Sequence, residues 1–252
     1  SSWGDDDYYY SDGGGGDGFG ITIVVVVIIV IYVFISGRKK GKATVVGAGA
    51  EPTTNLMPLA SLLEIDSGFS EAAMKEKISN LYVQMQNAWQ DKKFESMRPH
   101  MTDSLYNQFA RQLDELVRAG NTNYVERIAV LSVNFTGWRQ DEVNDSIVAL
   151  VKTRIVDYTL NDRSGKLVSG SKTAEKFLTY EWTLIRSKGM TTPQPSSEGS
   201  QDTVSIRCPS CSAPLEVNQS AKCPYCDSVI TARDYDWAIS AIKGISQTTS
   251  GR

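Results

Sequence analysis

The stretch DSGFSEAAMKEKISNLYVQMQNAWQ, residues 66–90, decides the fold. Ser70 stands where a helix N-cap belongs, and Glu71 follows it at the positive end of the helix dipole. From there Ile78, Leu81, Tyr82, Met85 and Trp89 return at three- and four-residue steps, while Lys75, Lys77, Asn80, Gln84 and Gln90 fall elsewhere around the helix. That spacing predicts one amphipathic helix with a core-facing stripe. A break at Arg98-Pro99-His100 leads into a second helix, capped by Thr102, whose apolar stripe is Leu105, Tyr106, Phe109, Leu113, Leu116 and Val117. Gly120-Asn121 ends it. Beyond that point the period becomes two: Leu131, Val133 and Phe135 alternate with polar or small neighbours, as do Leu178, Tyr180, Trp182 and Leu184. Between them, Ser146 to Leu160 is a β-rich segment whose apolar face switches near Lys152 to Arg154, which predicts a bulge. Asn161-Asp162-Arg163-Ser164-Gly165 reads as a hairpin loop. Helices followed by at least three antiparallel strands define an α+β domain in which a curved antiparallel sheet wraps the helices.

Asp66-Ser67-Gly68-Phe69-Ser70, Ala88-Trp89, Arg98-Pro99, Leu105-Tyr106, Gly120 with Asn123, Asp157-Tyr158, Gly165 with Val168-Ser169-Gly170, and Glu181-Trp182 ending at Arg186-Ser187 together resemble the Tim44-like domain. This is the domain of the mitochondrial inner-membrane import-motor scaffold and its bacterial relatives, and the chain is similar to the bacterial members. Ser67 departs from the proline common at that position. The resemblance covers residues 66–188 and implies a cone-shaped fold similar to nuclear transport factor two, with a hydrophobic pocket. Tyr106, Phe109, Phe135, Tyr180 and Trp182 are the residues expected to line it.

Upstream lies a different kind of sequence. Residues 1–18 are rich in Gly and Asp, without helical or strand period, and are expected to be disordered. Residues 19–36 contain an uncharged, largely β-branched run from Phe19 to Ile35, expected to form a membrane-spanning helix. At about 1.5 Å per residue the run reaches about 25 Å, short for a bilayer core of about 30 Å but sufficient with local thinning or snorkelling flanks. A buried strand of this length would be far beyond ordinary strand dimensions. Asp5, Asp6, Asp7, Asp12 and Asp17 precede the run, and Arg38, Lys39, Lys40 and Lys42 follow it. The positive-inside rule then places the amino terminus outside the cell membrane and the later domains in the cytoplasm. Those four cations are expected to contact anionic lipid headgroups. Residues 37–65 read as this basic juxtamembrane region and a tether, with one short amphipathic turn near Leu59 to Leu63.

Cys208-Pro209-Ser210-Cys211 and Cys223-Pro224-Tyr225-Cys226 form two knuckles with eleven residues between them. This is the spacing at which four thiolates close a tetrahedral site, so Cys208, Cys211, Cys223 and Cys226 are the expected ligands of one structural Zn2+. The second quartet alone matches a glutaredoxin motif, but the strand and helix that such chemistry needs do not surround it. Disulfides do not suit the reducing compartment that the topology assigns. Residues 189–204 read as a linker, 205–243 as the zinc ribbon with a packing segment around Trp237, a strand or short helix that packs on the ribbon or on the central domain, and 244–252 as a disordered tail.

Composition narrows the function. The 252-residue chain carries 26 Lys+Arg against 29 Asp+Glu, for a net charge of -3, and one His. No nucleic acid partner is expected, because neither the chain nor the ribbon presents a basic face. A single imidazole argues against Ser-His and Cys-His hydrolases. Asp157 and Glu181 are the candidate general bases if the cone hosts a small-molecule enzyme. The reading that fits best is a non-enzymatic, membrane-anchored adaptor. Its expected partners are the membrane, a hydrophobic polypeptide segment or lipid in the cone, and a protein at the ribbon. A zinc-dependent assembly factor without pocket chemistry is the third reading.

Overall fold

A computed structural model of the chain describes residues 45–46, 55–192, 206–207, 213–215, 225–226 and 236–251. The expected disordered segment 1–18, the apolar run 19–36 and its basic flank lie outside the described residues, as do Cys208, Cys211 and Cys223. No helix among the described residues is long and apolar enough to cross a membrane.

Three helices, numbered in chain order, precede the main strands: α1 (Leu62–Ile65), α2 (Glu71–Gln90) and α3 (Asp103–Arg118). Ser70 caps α2 by accepting from the Ala73 N–H at 3.3 Å, and Thr102 caps α3 by accepting from the Leu105 N–H at 3.4 Å. The stripes form as their spacing requires: Ile78, Leu81, Tyr82, Met85 and Trp89 of α2 are buried, as are Leu105, Tyr106, Phe109, Leu113 and Leu116 of α3. Val117 is the exception. It lies in the last turn of α3 and is 45% exposed. The amphipathic turn expected near Leu59 is a 3-10 turn, Leu59–Ser61, running into α1, and it buries Leu62. A second 3-10 turn, Phe94–His100, joins α2 to α3 and puts Phe94 against Trp89 and Phe109 at ring-centroid distances of 6.1 and 5.1 Å.

The strands are β1 (Val45–Val46), β2 (Asn121–Gln140), β3 (Asn144–Asn161), β4 (Leu167–Ser187), β5 (Ile206–Arg207), β6 (Pro214–Leu215) and β7 (Ala238–Ser250). The main sheet runs β1-β7-β4-β3-β2, antiparallel throughout, and β5 pairs with β6 in a separate two-stranded ladder. Long strands that wrap a helix layer must bend, and here the neighbours of β3 do the bending. Across Lys152 to Arg154 the alternation of β3 continues, with Val151, Thr153 and Ile155 buried and Lys152 exposed, so the face does not switch there. The extra residues fall on the partners instead: on β2 between Glu126 and Ala129, where Arg127 takes a positive φ of 50°, and on β4 between Gly170 and Glu175. A central strand holds two ladders, so a bulge there disrupts both, whereas a bulge on a partner interrupts only local pairing. Gly170 is required at its bulge, because φ is 81° and a Cβ would stand 2.3 Å from the Asp157 carbonyl oxygen.

The segment after the cysteines corrects the expected domain plan. Residues 244–250 are not a disordered tail, and of the two surfaces expected for the packing segment, the ribbon or the central domain, residues 238–243 take the central domain. Together they form β7, which pairs with β4 from Ile185↔Ala238 to Glu175↔Ser250. The physical reason is the burial that this ladder gives: Trp237, Ile239 and Ile242 pack into the core, and the Ile239 carbonyl accepts from the Thr102 N–H at 2.9 Å. The cysteine-bearing stretch is therefore inserted between two paired strands of the domain.

One buried cation ties these parts together. Arg186, on the inward register of β4 with Trp182 and Leu184, donates from Nη1 to Asp66 Oδ2 at 2.6 Å, and its Nε lies 3.5 Å from Asp145. Its guanidinium stacks 4.4 Å over the Trp237 ring, which in turn meets Phe69 edge-on at 6.4 Å. Asp66 also accepts from the Thr192 N–H and hydroxyl, at 2.9 and 2.8 Å. Burial works to raise the Asp66 carboxyl, but the bonds from Thr192 and Arg186 outweigh it and hold the carboxyl below its ordinary 3.8. A carboxylate lowered on folding adds stability above pH 3.8, and loses it as pH falls through the folded value. Replacing Arg186 by Met is expected to destabilise the fold by about 3–5 kcal/mol in urea titrations, because two carboxylates stay buried without their cation. Asp66→Asn should lower the urea midpoint at pH 7, and the gap to the parent should close in acid below pH 4.

Candidate functional site

The inner wall of the sheet carries a second polar knot. Asn123 of β2 accepts from Trp89 Nε1 at 3.2 Å. It donates from Nδ2 to Asp157 Oδ1 at 2.9 Å, to the Tyr158 carbonyl at 3.1 Å and to Thr159 Oγ1 at 3.1 Å. The other oxygen of Asp157 is taken by the Lys176 ammonium. Burial pushes the Asp157 carboxyl up, while Lys176 and Asn123 pull it down; burial dominates. Both oxygens of Asp157 already serve partners, one from β2 and one from β4. Glu181 lies on β4 with Lys243 Nζ 3.7 Å away. The cations that meet these two carboxylates are Lys176 and Lys243, one from the bulged part of β4 and one from β7, and neither is sequence-adjacent to its acid.

The five residues expected to line a pocket are packed into the core instead. Phe109, Tyr180 and Trp182 are 0–2% exposed. Tyr106 stacks on Phe94 at 6.0 Å and donates its hydroxyl to Glu95, and Phe135 is half-buried against Phe69 at 6.5 Å. The reason is mutual filling: the aromatic rings of α2, the Phe94 turn, α3 and β4 occupy the space that the cone would enclose. Burial pushes the Tyr82 hydroxyl up to about 12 and the Tyr180 hydroxyl well above 10, so both stay neutral. Gln86, between Tyr82 and Trp89 on the buried stripe, is 1% exposed, and its amide N and O have no hydrogen-bond partner among the described residues.

A cleft of about 340 Å³ does open, on the outer side of α2, lined by Glu76, Lys77, Asn80, Leu81, Gln84 and His100. Ala73 also lines it, and more of its exposed lining is apolar than polar. Lys77 pairs there with Asp236, just where the chain re-enters the sheet. Burial first, and then the Lys77 charge, lower the His100 imidazole, keeping it neutral at pH 7.

The cysteines are placed only in part. Ile206↔Leu215 and Arg207↔Pro214 pair antiparallel, on either side of the first cysteine pair in the sequence. Tyr225 and Cys226 lie in an exposed turn. No group of three or more metal-ligating side chains occurs among the described residues, which include one of the four cysteines.

Compared with models of protein families, the chain matches the Tim44-like domain over residues 58–196. No curated protein matches it. The match begins before the first 3-10 turn, covers the helices and β2 to β4, and stops short of β7. As a check on the ribbon, full-length protein purified without added metal should carry one zinc per chain by elemental analysis. Cys208→Ser or Cys223→Ser should each lose it, whereas two disulfides in place of four thiols would contradict the assignment.

Proposed function

Because the chain belongs to the Tim44-like domain family, we propose that it is a single-span, membrane-anchored, non-enzymatic adaptor whose domain stands in the cytoplasm between the bilayer and a zinc ribbon. The observation that carries this reading is the position of the two exits from the main sheet. β1 pairs antiparallel with β7, Val45↔Lys243 and Val46↔Ile242, so Val45 is the end of β1 nearer Ser250. The cysteine-bearing insertion leaves after β4 and returns before β7 at the other end, beside Ile185↔Ala238. From Glu175 to Ile185 the strand spans about 33 Å at about 3.3 Å per residue. In this reading the anchor joins the sheet through β1 and the ribbon through the Ile185 and Ala238 ends of β4 and β7, an arrangement suited to holding a second protein at a set distance from a membrane.

In this reading Phe19 to Ile35 spans the cell membrane with the amino terminus outside, and Arg38, Lys39, Lys40 and Lys42 sit at the inner headgroups. Zinc, held by Cys208, Cys211, Cys223 and Cys226, supplies folding free energy to a ribbon too small for its own core. A hydrophobic client segment or a lipid is met on the outside of the domain, since its aromatic interior is filled. The enzyme reading is weakened by the engagement of Asp157 and Glu181 with Lys176 and Lys243.

In native membranes the protein should resist alkaline carbonate, and protease added to intact cells should leave residues after 36 uncut. A photo-crosslinker replacing Tyr225, which is 68% exposed, should capture a defined protein, and zinc chelation should abolish the capture. Release by carbonate, or recovery of only a soluble metabolite, would overturn the adaptor.

A further inference from the structure

The chain's one histidine stands outside the buried clasp, the polar knot and the cysteine pairs. His100 ends the 3-10 turn Phe94–His100, and the two residues after it bind the turn to β7. Met101 bridges Ile239 in parallel, and the Thr102 N–H donates to the Ile239 carbonyl at 2.9 Å. The half-buried imidazole lines the cleft on α2. At the same cleft Lys77 of α2 pairs with Asp236, two residues before β7, and Asp236 Oδ1 accepts from the Trp237 N–H at 2.6 Å. Trp237 in turn covers the Arg186 guanidinium. Three elements thus converge where the chain re-enters the sheet: α2 through Lys77, the turn through His100, and the approach to β7 through Asp236. Glu76 is the other charged residue of α2 that lines the cleft. On the turn itself, Glu95 accepts from the Tyr106 hydroxyl and Arg98 lies 3.7 Å from Asp103, so both are engaged with α3.

We propose that His100 is a proton-operated release on the start of β7: neutral, it leaves Asp236 to Lys77, and protonated, it sets a second cation beside Lys77 and frees residues 236–239 to open. A charged imidazole in this cleft loses part of its water and stands near an ammonium. Asp236 alone compensates, and it is already engaged. Burial first, and the Lys77 charge second, therefore hold the ring below its ordinary 6.5. Once the start of β7 opens, water reaches the ring and restores its ordinary value. A group lowered in the closed form and restored in the open one takes its proton in the open form, so acid shifts the population toward opening. The shift begins as pH falls below 6.5 and levels off below the closed-form value. Neutral pH keeps the strand seated; mild acid loosens it. The Asp66 clasp stays ionised through this window, because its carboxyl lies below 3.8. Asp157 carries the opposite sign, since a carboxyl raised by burial favours the folded form in acid. The release depends on neither the membrane anchor nor the zinc.

The test is hydrogen exchange on the full chain at about pH 7 and about pH 5.5, with each observed rate divided by the intrinsic rate at that pH. Opening of residues 236–243, measured against residues 147–153 of β3, should rise several-fold in acid, by at most about tenfold per pH unit. In His100→Gln, which keeps a polar side chain but does not titrate in this range, the ratio should stay constant. In Lys77→Met the imidazole, followed by its own NMR titration, should move up and the acid response should shrink. A ratio unchanged between the two pH values in the parent, or an acid response as large in His100→Gln, would overturn the release. Where a variant fails to fold, the parent's imidazole decides. A midpoint below 6.5 that tracks the opening of residues 236–243 supports the release, and a midpoint at or above 6.5 overturns it.

Discussion

A guanidinium buried between two carboxylates is the constraint on which the rest of the structure depends. Arg186 sits near the end of β4, Asp66 stands before the first long helix, and Asp145 lies near the start of β3. Trp237, from beyond the cysteine-bearing insertion, covers the guanidinium face. Four distant stretches of chain are thus joined at one point that water does not reach. Such a group adds little net stability over a well-packed apolar substitute, but it strongly penalises any arrangement that leaves one partner alone. It selects the topology in which the strand after the insertion returns to the sheet.

That return shapes what the domain is able to do. With β7 seated beside β4, the cysteine-bearing stretch falls between two paired strands of the domain rather than after its last strand. Meanwhile the described interior is occupied by aromatic rings and by the knot of Trp89, Asn123, Asp157 and Lys176.

Much of this was legible in the residues. Helical spacing located α2 and α3, and Ser70 and Thr102 marked their starts, because caps and stripes are local properties. The inward register of Leu184 and Trp182 already included Arg186, two residues on, and Gln86 stands on the stripe of α2 at four residues from Tyr82 and three from Trp89. What local pattern does not carry is partnership. Nothing near Asp157 in sequence announces Lys176, since the bulge between Gly170 and Glu175 decides which β4 residue faces it. Residues 244–250, GISQTTS, read as a tail because they are polar and small; their strand conformation comes from the ladder with β4, a non-local gain. The aromatic residues expected around a pocket fill it for a related reason: whether rings line a space or occupy it depends on their combined volume, not on their spacing.

The most direct measurement of the clasp and the return it enforces is native-state hydrogen exchange on the full chain, before and after zinc chelation. If β7 belongs to the domain, amides of residues 238–243 should exchange as slowly as those of residues 147–153 in β3, and should keep that protection when the metal is removed. Fast exchange of 238–243 like a frayed end, or loss of its protection on chelation while β3 stays protected, would return this strand to the ribbon and contradict the account.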